Sequence, residues 1–491
     1  MRDKFDEINA KIFFEKGLKL FLEENYENAE VEFKKSLELY PNRLSIINNL
    51  IKVYIKTHQN IKLQVLLDKH HHLKNEETLL LGSAYNEYFK ENYNEATKIC
   101  KKIKNNKNLE DEASDLLIQI NKKKKNFLKV LNIYKKKLKQ NKNNYLIYYN
   151  IGCFFLNLGK INQAYYYLKK SIKLNPLHHS TLWNISICAL SLKDFKTGFK
   201  LYDYRFKKNS VEIENFKKLK TPENILEIQN KSILIWSEQG LGDTIQFSRF
   251  VIDLLNFTKK ITLLVNNKLK KILTNLDTNI NVIDYESLDF SKYELQIPIG
   301  SLPKLLNIQK LKDINFYKLN LNNREVGKNF DNNKFNVGIA WSGNPNYAKD
   351  EYRSISFQTI EKIFFLKNVN FYKLSQNKKN IEESKYNLYP NLYDFSDKSF
   401  YEVACLMHNL DLVVSTDTSI IHLAGIMNIK SFLLLNFNSD WRWFDDIQTT
   451  HWYPSIKIFK QNKIDSWEDV IDKVIYEIKK LNLNRKTITK Q

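Results

Sequence analysis

Four short segments in the second half of the chain place hydroxyls, carboxylates, arginines and glycines at spacings that suit phosphate and sugar chemistry. In Asp417-Thr418-Ser419, Asp417 or Thr418 is a natural helix N-cap, with Asp417 expected to cap rather than face inward, where it would repel phosphate. Thr418 and Ser419 offer hydroxyls beside free backbone N–H groups, and the start of a helix there favours a diphosphate. His422 follows Thr418 by four residues, so both can face one ligand, although a histidine on an apolar helix face is also an ordinary core residue. In Glu238-Gln239-Gly240-Leu241-Gly242-Asp243, two glycines allow a sharp turn and a close approach to a substrate. Asp243 then serves either as a helix cap or as a general base for an acceptor hydroxyl. A dinucleotide fingerprint is absent, because Ile245 stands where its third glycine belongs. Ser342-Gly343-Asn344 suits a tight phosphate or sugar loop. Arg353, nine residues beyond Asn344, can neutralise an anionic leaving group or form a surface ion pair. Trp441 and Arg442 offer a ring and a cation for stacking on a base or sugar, or else a domain contact.

These segments need rigid supports, and the sequence supplies them. Short β-branched runs (SILIWSEQ, ITLLV, NVIDY, YELQIPIG) alternate with helical patterns from Ser232 onward. A second series (NVGIAWSG, FYKLS, LDLVVS, SFLLLN) opens near Phe335. Such alternation predicts two parallel α/β domains in tandem, with ligand-binding loops at the carboxyl ends of their strands and a cleft between them.

The first half is a repeat. Gly17 and Ala29 are twelve residues apart, as are Gly152 and Ala164, and a proline, Pro41 or Pro176, follows each glycine by twenty-four. The small residue recurs at Ala29, Ala96, Val130, Ala164 and Gly198, with a missing member near Leu63, a period of about 34 residues. Each unit reads as two amphipathic helices whose small residues let them pack closely around Phe33 or its equivalent. Phe13, Gly17, Ala29, Phe33 and Pro41 resemble the tetratricopeptide repeat (TPR) pattern. About six units are expected, stacked into a solenoid whose groove can hold a protein partner. His70-His71-His72 reads as a solvated segment between helices, since adjacent residues point different ways and cannot converge on a metal.

Composition narrows the class. The chain has 491 residues, 43% hydrophobic, with 12 Gly and 8 Pro, which suits several helix-rich domains. The net charge of +22 could attract nucleic acid or an anionic membrane. The lysines look spread along the chain, the one tight run being Lys122–Lys125, and no nucleic-acid module is recognisable, so no specific nucleic-acid partner is expected. The four cysteines lack any CxxC pairing and read as buried free thiols of a reducing compartment. No stretch reaches the roughly 18 apolar residues of a membrane span, so a cytoplasmic location is expected.

EQGLGDTIQFSRF, VGIAWSGNP with the following RSI, DLVVSTDTSIIHLAG and DWRWFDD, in this order, resemble the TPR-linked branch of the heptosyltransferase-like glycosyltransferases. The similarity runs from about Trp183 to Lys473 and includes LYDYRF. It implies a GT-B fold and an inverting, metal-independent transfer of a hexose or heptose from a nucleotide-diphospho-sugar. No cofactor other than that co-substrate is implied. Asp243 matches the family's base, and Asp417, Thr418 and His422 match its donor-binding element. The family's lysine in the second-domain loop has no counterpart, and Arg353 falls nearest. The resulting expectation is an α + α/β chain: a TPR solenoid over 1–210, a linker over 211–230, an acceptor-side Rossmann-like domain over 231–330 and a nucleotide-sugar domain over 331–485. Ser342, Asn344, Arg353, Asp417, Thr418, Ser419 and His422 would hold the donor. Glu238, Gln239, Gly240, Gly242, Trp441 and Arg442 would line the substrate loop. The acceptor would be a glycan or a protein; the alternative is a non-catalytic TPR scaffold.

Overall fold

The computed structural model describes residues 2–74, 76–207, 215–321, 330–331, 333–347, 349–375, 388–444, 448–464 and 466–488. The chain divides into two compact units, residues 1–147 and 148–491.

The first unit contains four helical hairpins: α1 (Arg2–Leu22) with α2 (Tyr26–Leu39), α3 (Leu44–Lys56) with α4 (Asn60–Lys69), α5 (Glu77–Phe89) with α6 (Tyr93–Cys100), and α7 (Lys107–Lys123) with α8 (Phe127–Gln140). The close packing inferred from the repeat is present. A Cβ on Gly17 would stand 2.7 Å from the Phe33 ring, and Ala29 and Phe33 are fully buried. Leu63 fills the missing position of the period and is likewise buried. His70 departs from expectation. It caps the C-terminus of α4 and is 2% exposed, while His71 and His72 remain in solvent. Burial lowers its imidazole's affinity for a proton, so the ring stays neutral.

The unit boundary falls within α9 (Tyr145–Asn157), which forms a hairpin with α10 (Ile161–Leu174), and a further hairpin follows in the second unit, α11 (His179–Ser191) with α12 (Phe195–Tyr202). A Cβ on Gly152 would meet Leu168 at 2.6 Å, the same small-residue contact as at Gly17. No strand occurs among the described residues of the first 207. Beyond these hairpins lie two parallel sheets. The first has the order β3-β2-β1-β4, with β1 (Ile233–Trp236), β2 (Ile261–Leu264), β3 (Ile280–Ile283) and β4 (Leu295–Pro298). The second has the order β10-β9-β8-β5-β6-β7, with β5 (Phe335–Ala340), β6 (Val369–Lys373), β7 (Leu392–Asp394), β8 (Leu412–Thr416), β9 (Ser431–Leu435) and β10 (Ile456–Lys460). Strands β7 and β10 were not anticipated. β1, β5, β8 and β9 are buried along their whole length, as strands covered on both faces must be.

The sequence period runs on to Gly198, yet the unit boundary falls at 147 and not near 210. The reason is shared core. Leu190, Phe195, Phe199 and Tyr202 belong to the same apolar cluster as Ile233, Ile261 and Leu433. Asn438, after β9, donates to the carbonyls of Leu156 and Asn157 at 3.0 and 3.1 Å. The expected linker begins within 208–214, outside the described residues.

Candidate active site

In a parallel sheet, strand order reverses at one point, and loops leaving the two strands there part to opposite faces and open a crevice. In the second sheet that point lies between β5 and β8, so Ser342-Gly343-Asn344 and Asp417-Thr418 are brought side by side as the sequence implied. Helix α16 (Ser419–Ile426; α14 and α15 are Asn267–Leu273 and Phe400–Met407) starts directly after β8. In the first sheet the reversal lies between β1 and β4, and the loop after β1 leads into α13 (Leu241–Asp253).

Arg353 joins the two loops of the second domain. Its Nη1 donates to the Asp417 carbonyl at 2.8 Å and its Nε to Asp350 at 2.9 Å, while the guanidinium lies 4.5 Å over the Tyr347 ring. Ser354 accepts from the Gly343 N–H at 3.0 Å and donates to Asp350 at 2.8 Å. The loop is thus pinned, with Ser342 buried inside and Asn344 in solvent, where its side chain accepts from the Asn346 N–H.

Asp417 does not cap the helix. Thr418 holds the N-cap position, and its side chain makes no capping bond to the helix; its hydroxyl lies 3.2 Å from that of Ser415. The Asp417 carboxyl instead lies 3.8 Å from His422 Nε2. Burial, then repulsion from Asp440, raises it to about 6, against the Trp443 indole and the Arg442 and Arg353 guanidiniums. His422 is buried, with Nδ1 2.9 Å from the Tyr453 hydroxyl and its ring 5.2 Å from Trp443. Burial, and then Arg442, Arg249 and Arg353, hold its proton affinity well below the usual histidine range. It is a neutral, structurally engaged ring, closer to the core-histidine reading than to a free ligand.

The first turns of α13 and α16 meet. A Cβ on Gly242 would stand 2.8 Å from His422 Cδ2, so a glycine is needed for this approach. Asp243 accepts the Gly240 N–H at 2.9 Å through Oδ2, as a helix cap would. Its other oxygen takes an ion pair from Arg442 of the second domain, which also bonds Gln246 and reaches Asp440 at 2.7 Å. Burial opposes the charge on Arg442, but Asp440 and Asp243 outweigh it and keep the guanidinium charged. Ser419, half-buried, opens α16.

Two residues expected in the substrate loop are used elsewhere. Glu238 is buried and paired with Arg205 from the LYDYRF segment, at 2.8 Å through Nε, and it accepts the Gly300 N–H at 3.1 Å. Trp441 is 3% exposed and packs edge-on to Phe199, Tyr202 and Trp452, so its ring makes a domain contact and cannot stack on a ligand. Gln239 sits at φ +60° beside them, its amide oxygen 3.5 Å from the Tyr202 hydroxyl. Asp350, Tyr347, Gln246 and Arg249 escaped the sequence reading. Tyr347 and Asp350 follow the Ser342-Gly343-Asn344 segment and Gln246 and Arg249 lie within α13, and only folding gives them their partners here. Among the described residues, Thr416 Oγ1 and Gln246 Nε2 are buried on these elements without a hydrogen-bond partner, while Arg249 lies 4.9 Å over the Tyr453 ring. Among the described residues no three His, Cys, Asp or Glu side chains are grouped to hold a metal ion.

Residues 145–176 match the tetratricopeptide repeat model. No curated protein matches the sequence. Among solved structures, PilF of Pseudomonas aeruginosa is 16% identical and covers 43% of this chain and 98% of its own, with a TM-score of 0.33. The dodecameric iron-containing heptosyltransferase TibC, in complex with ADP-D-beta-D-heptose, is 11% identical over 51% of this chain and 67% of its own, TM-score 0.37. TibC from enterotoxigenic E. coli H10407 is 10% identical with the same coverage and a TM-score of 0.35. At such TM-scores, function has to be argued from the chain's own geometry.

Proposed function

We propose that this chain is a glycosyltransferase that moves a sugar from a nucleotide-diphospho-sugar to a glycan or protein acceptor, with inversion and without a metal ion. The observation that carries this reading is the meeting of three features: the start of α16, where the Thr418 side chain makes no capping bond, Arg353 on the Asp417 carbonyl, and the Arg442–Asp243 pair that links the two α/β domains. Helix N–H groups and two fixed guanidiniums suit a diphosphate on which charge builds as it leaves. The acceptor oxygen bonds to the anomeric carbon as the carbon–oxygen bond to the diphosphate breaks. The bonding pair leaves with the diphosphate, and the acceptor proton passes to Asp243. A bound diphosphate gives Arg442 another anion and so frees Asp243 for that task. The repeat hairpins would select the acceptor.

A second reading, a non-catalytic scaffold, is favoured by the engagement of both Asp243 oxygens and the burial of Glu238, Trp441 and His422. Calorimetry with nucleoside diphosphates separates the two. The enzyme should bind one of them, and T418V should weaken that binding by about 1–2 kcal/mol, the scale of a hydrogen bond to a charged group. D243N should keep the binding but lose about 10²–10⁴-fold in transfer rate. A chain that binds no nucleoside diphosphate, or a D243N variant with the parental rate, would sink the catalytic reading.

A further inference from the structure

The strongest unexplained feature lies in the first unit. Residues 122–142 hold ten lysines and no Asp, Glu or Arg, a density that the chain-wide average conceals. Helix α8 occupies most of this stretch. Val130 and Tyr134 are its buried side. At 100° per residue, Leu128, Asn132, Lys135, Lys139, Lys136 and Lys129 fall on one arc of about 120° opposite them. All six are exposed. Lys136 reaches Glu110 at 2.9 Å. Lys129, Lys135, Lys139 and Lys142 have no carboxylate partner among the described residues. Leu128 stands among them, 79% exposed.

We propose that this face of α8 docks the protein onto an anionic lipid surface. A lysine cluster on a helix face gains about 1 kcal/mol for each ammonium brought near such a surface. Lysine, a mobile point charge, suits a fluid field of headgroups, whereas nucleic-acid phosphates and bases favour the arginine fork, which is missing here. The face also lacks an exposed aromatic ring on which a base could stack. A protruding leucine amid the lysines gains nothing from a polyanion in water but does gain from entering the acyl boundary. Among the described residues no helix is long and apolar enough to cross a membrane, so the contact is peripheral.

The test is co-sedimentation of the full chain with vesicles of phosphatidylcholine alone or mixed with phosphatidylglycerol. Binding should require phosphatidylglycerol and weaken as salt rises. The K129Q/K135Q/K139Q/K142Q variant should lose about 10³-fold in vesicle affinity with an unchanged melting curve, since exposed substitutions scarcely alter stability. L128S, which alters no charge, should lose about tenfold. Three results would overturn the proposal: no dependence on anionic lipid, full binding by the quadruple variant, or tighter binding of an oligonucleotide than of vesicles at the same salt.

Discussion

Replacing Asp417 with Asn should stabilise the second unit, and only above a definite pH. In the folded chain this carboxyl is raised from 3.8 to about 6, by burial and then by Asp440. A group whose folded value is raised contributes stability that is fully present below its unfolded value and is lost as pH rises through the folded one. At pH 7 the ionised Asp417 therefore burdens the fold by about 3 kcal/mol, taken as an upper figure because 18% of its side chain still meets solvent. Asn has the same shape and no charge. The variant should match the parent near pH 4, gain between pH 4 and 6, and hold an advantage of about 2–3 kcal/mol above pH 7. All seven tryptophans lie beyond residue 148, so indole fluorescence during denaturant unfolding follows the second unit alone. A difference that is constant from pH 4.5 to 8, or a variant less stable than the parent at pH 8, would refute the inward, desolvated placement of this carboxyl.

Gly242→Ala should destabilise by about 1–2 kcal/mol: the overpacking against His422 outweighs the roughly 1 kcal/mol that alanine gains in a helix, which chemical denaturation would register. Arg205→Met alone should cost about 3–5 kcal/mol by stranding Glu238, whereas Arg205→Met with Glu238→Met should recover most of it. A double variant as unstable as the single one would show that the pair holds the fold by more than mutual neutralisation. His422→Gln should leave the nucleotide affinity within about threefold while lowering stability, because the ring is spent on Tyr453 and Trp443; a loss of binding without a loss of stability would restore it to the ligand.

By itself the sequence determined whatever depends on local pattern. The recurrence from Ala29 to Gly198 fixed the helical hairpins, because a small residue every 34 positions is what close packing of paired helices demands. Alternating apolar runs and helical patterns fixed the two parallel sheets, and the loops after β1, β5 and β8 were legible because glycines and hydroxyls interrupt apolar strands there. The tertiary structure alone decided which way those residues face. Asp243 and Arg442 are 199 residues apart, Arg205 and Glu238 33 apart, and no local signal announces either pair. Asp417 turned inward and His422 into a packed contact for the same reason: burial and partner choice are set by what the rest of the chain brings alongside. The repeat likewise showed no break near residue 147, because a periodic pattern records how each hairpin packs on itself. Which neighbour shares its core is settled by side chains such as Trp441 and Phe444, contributed from the far end of the chain.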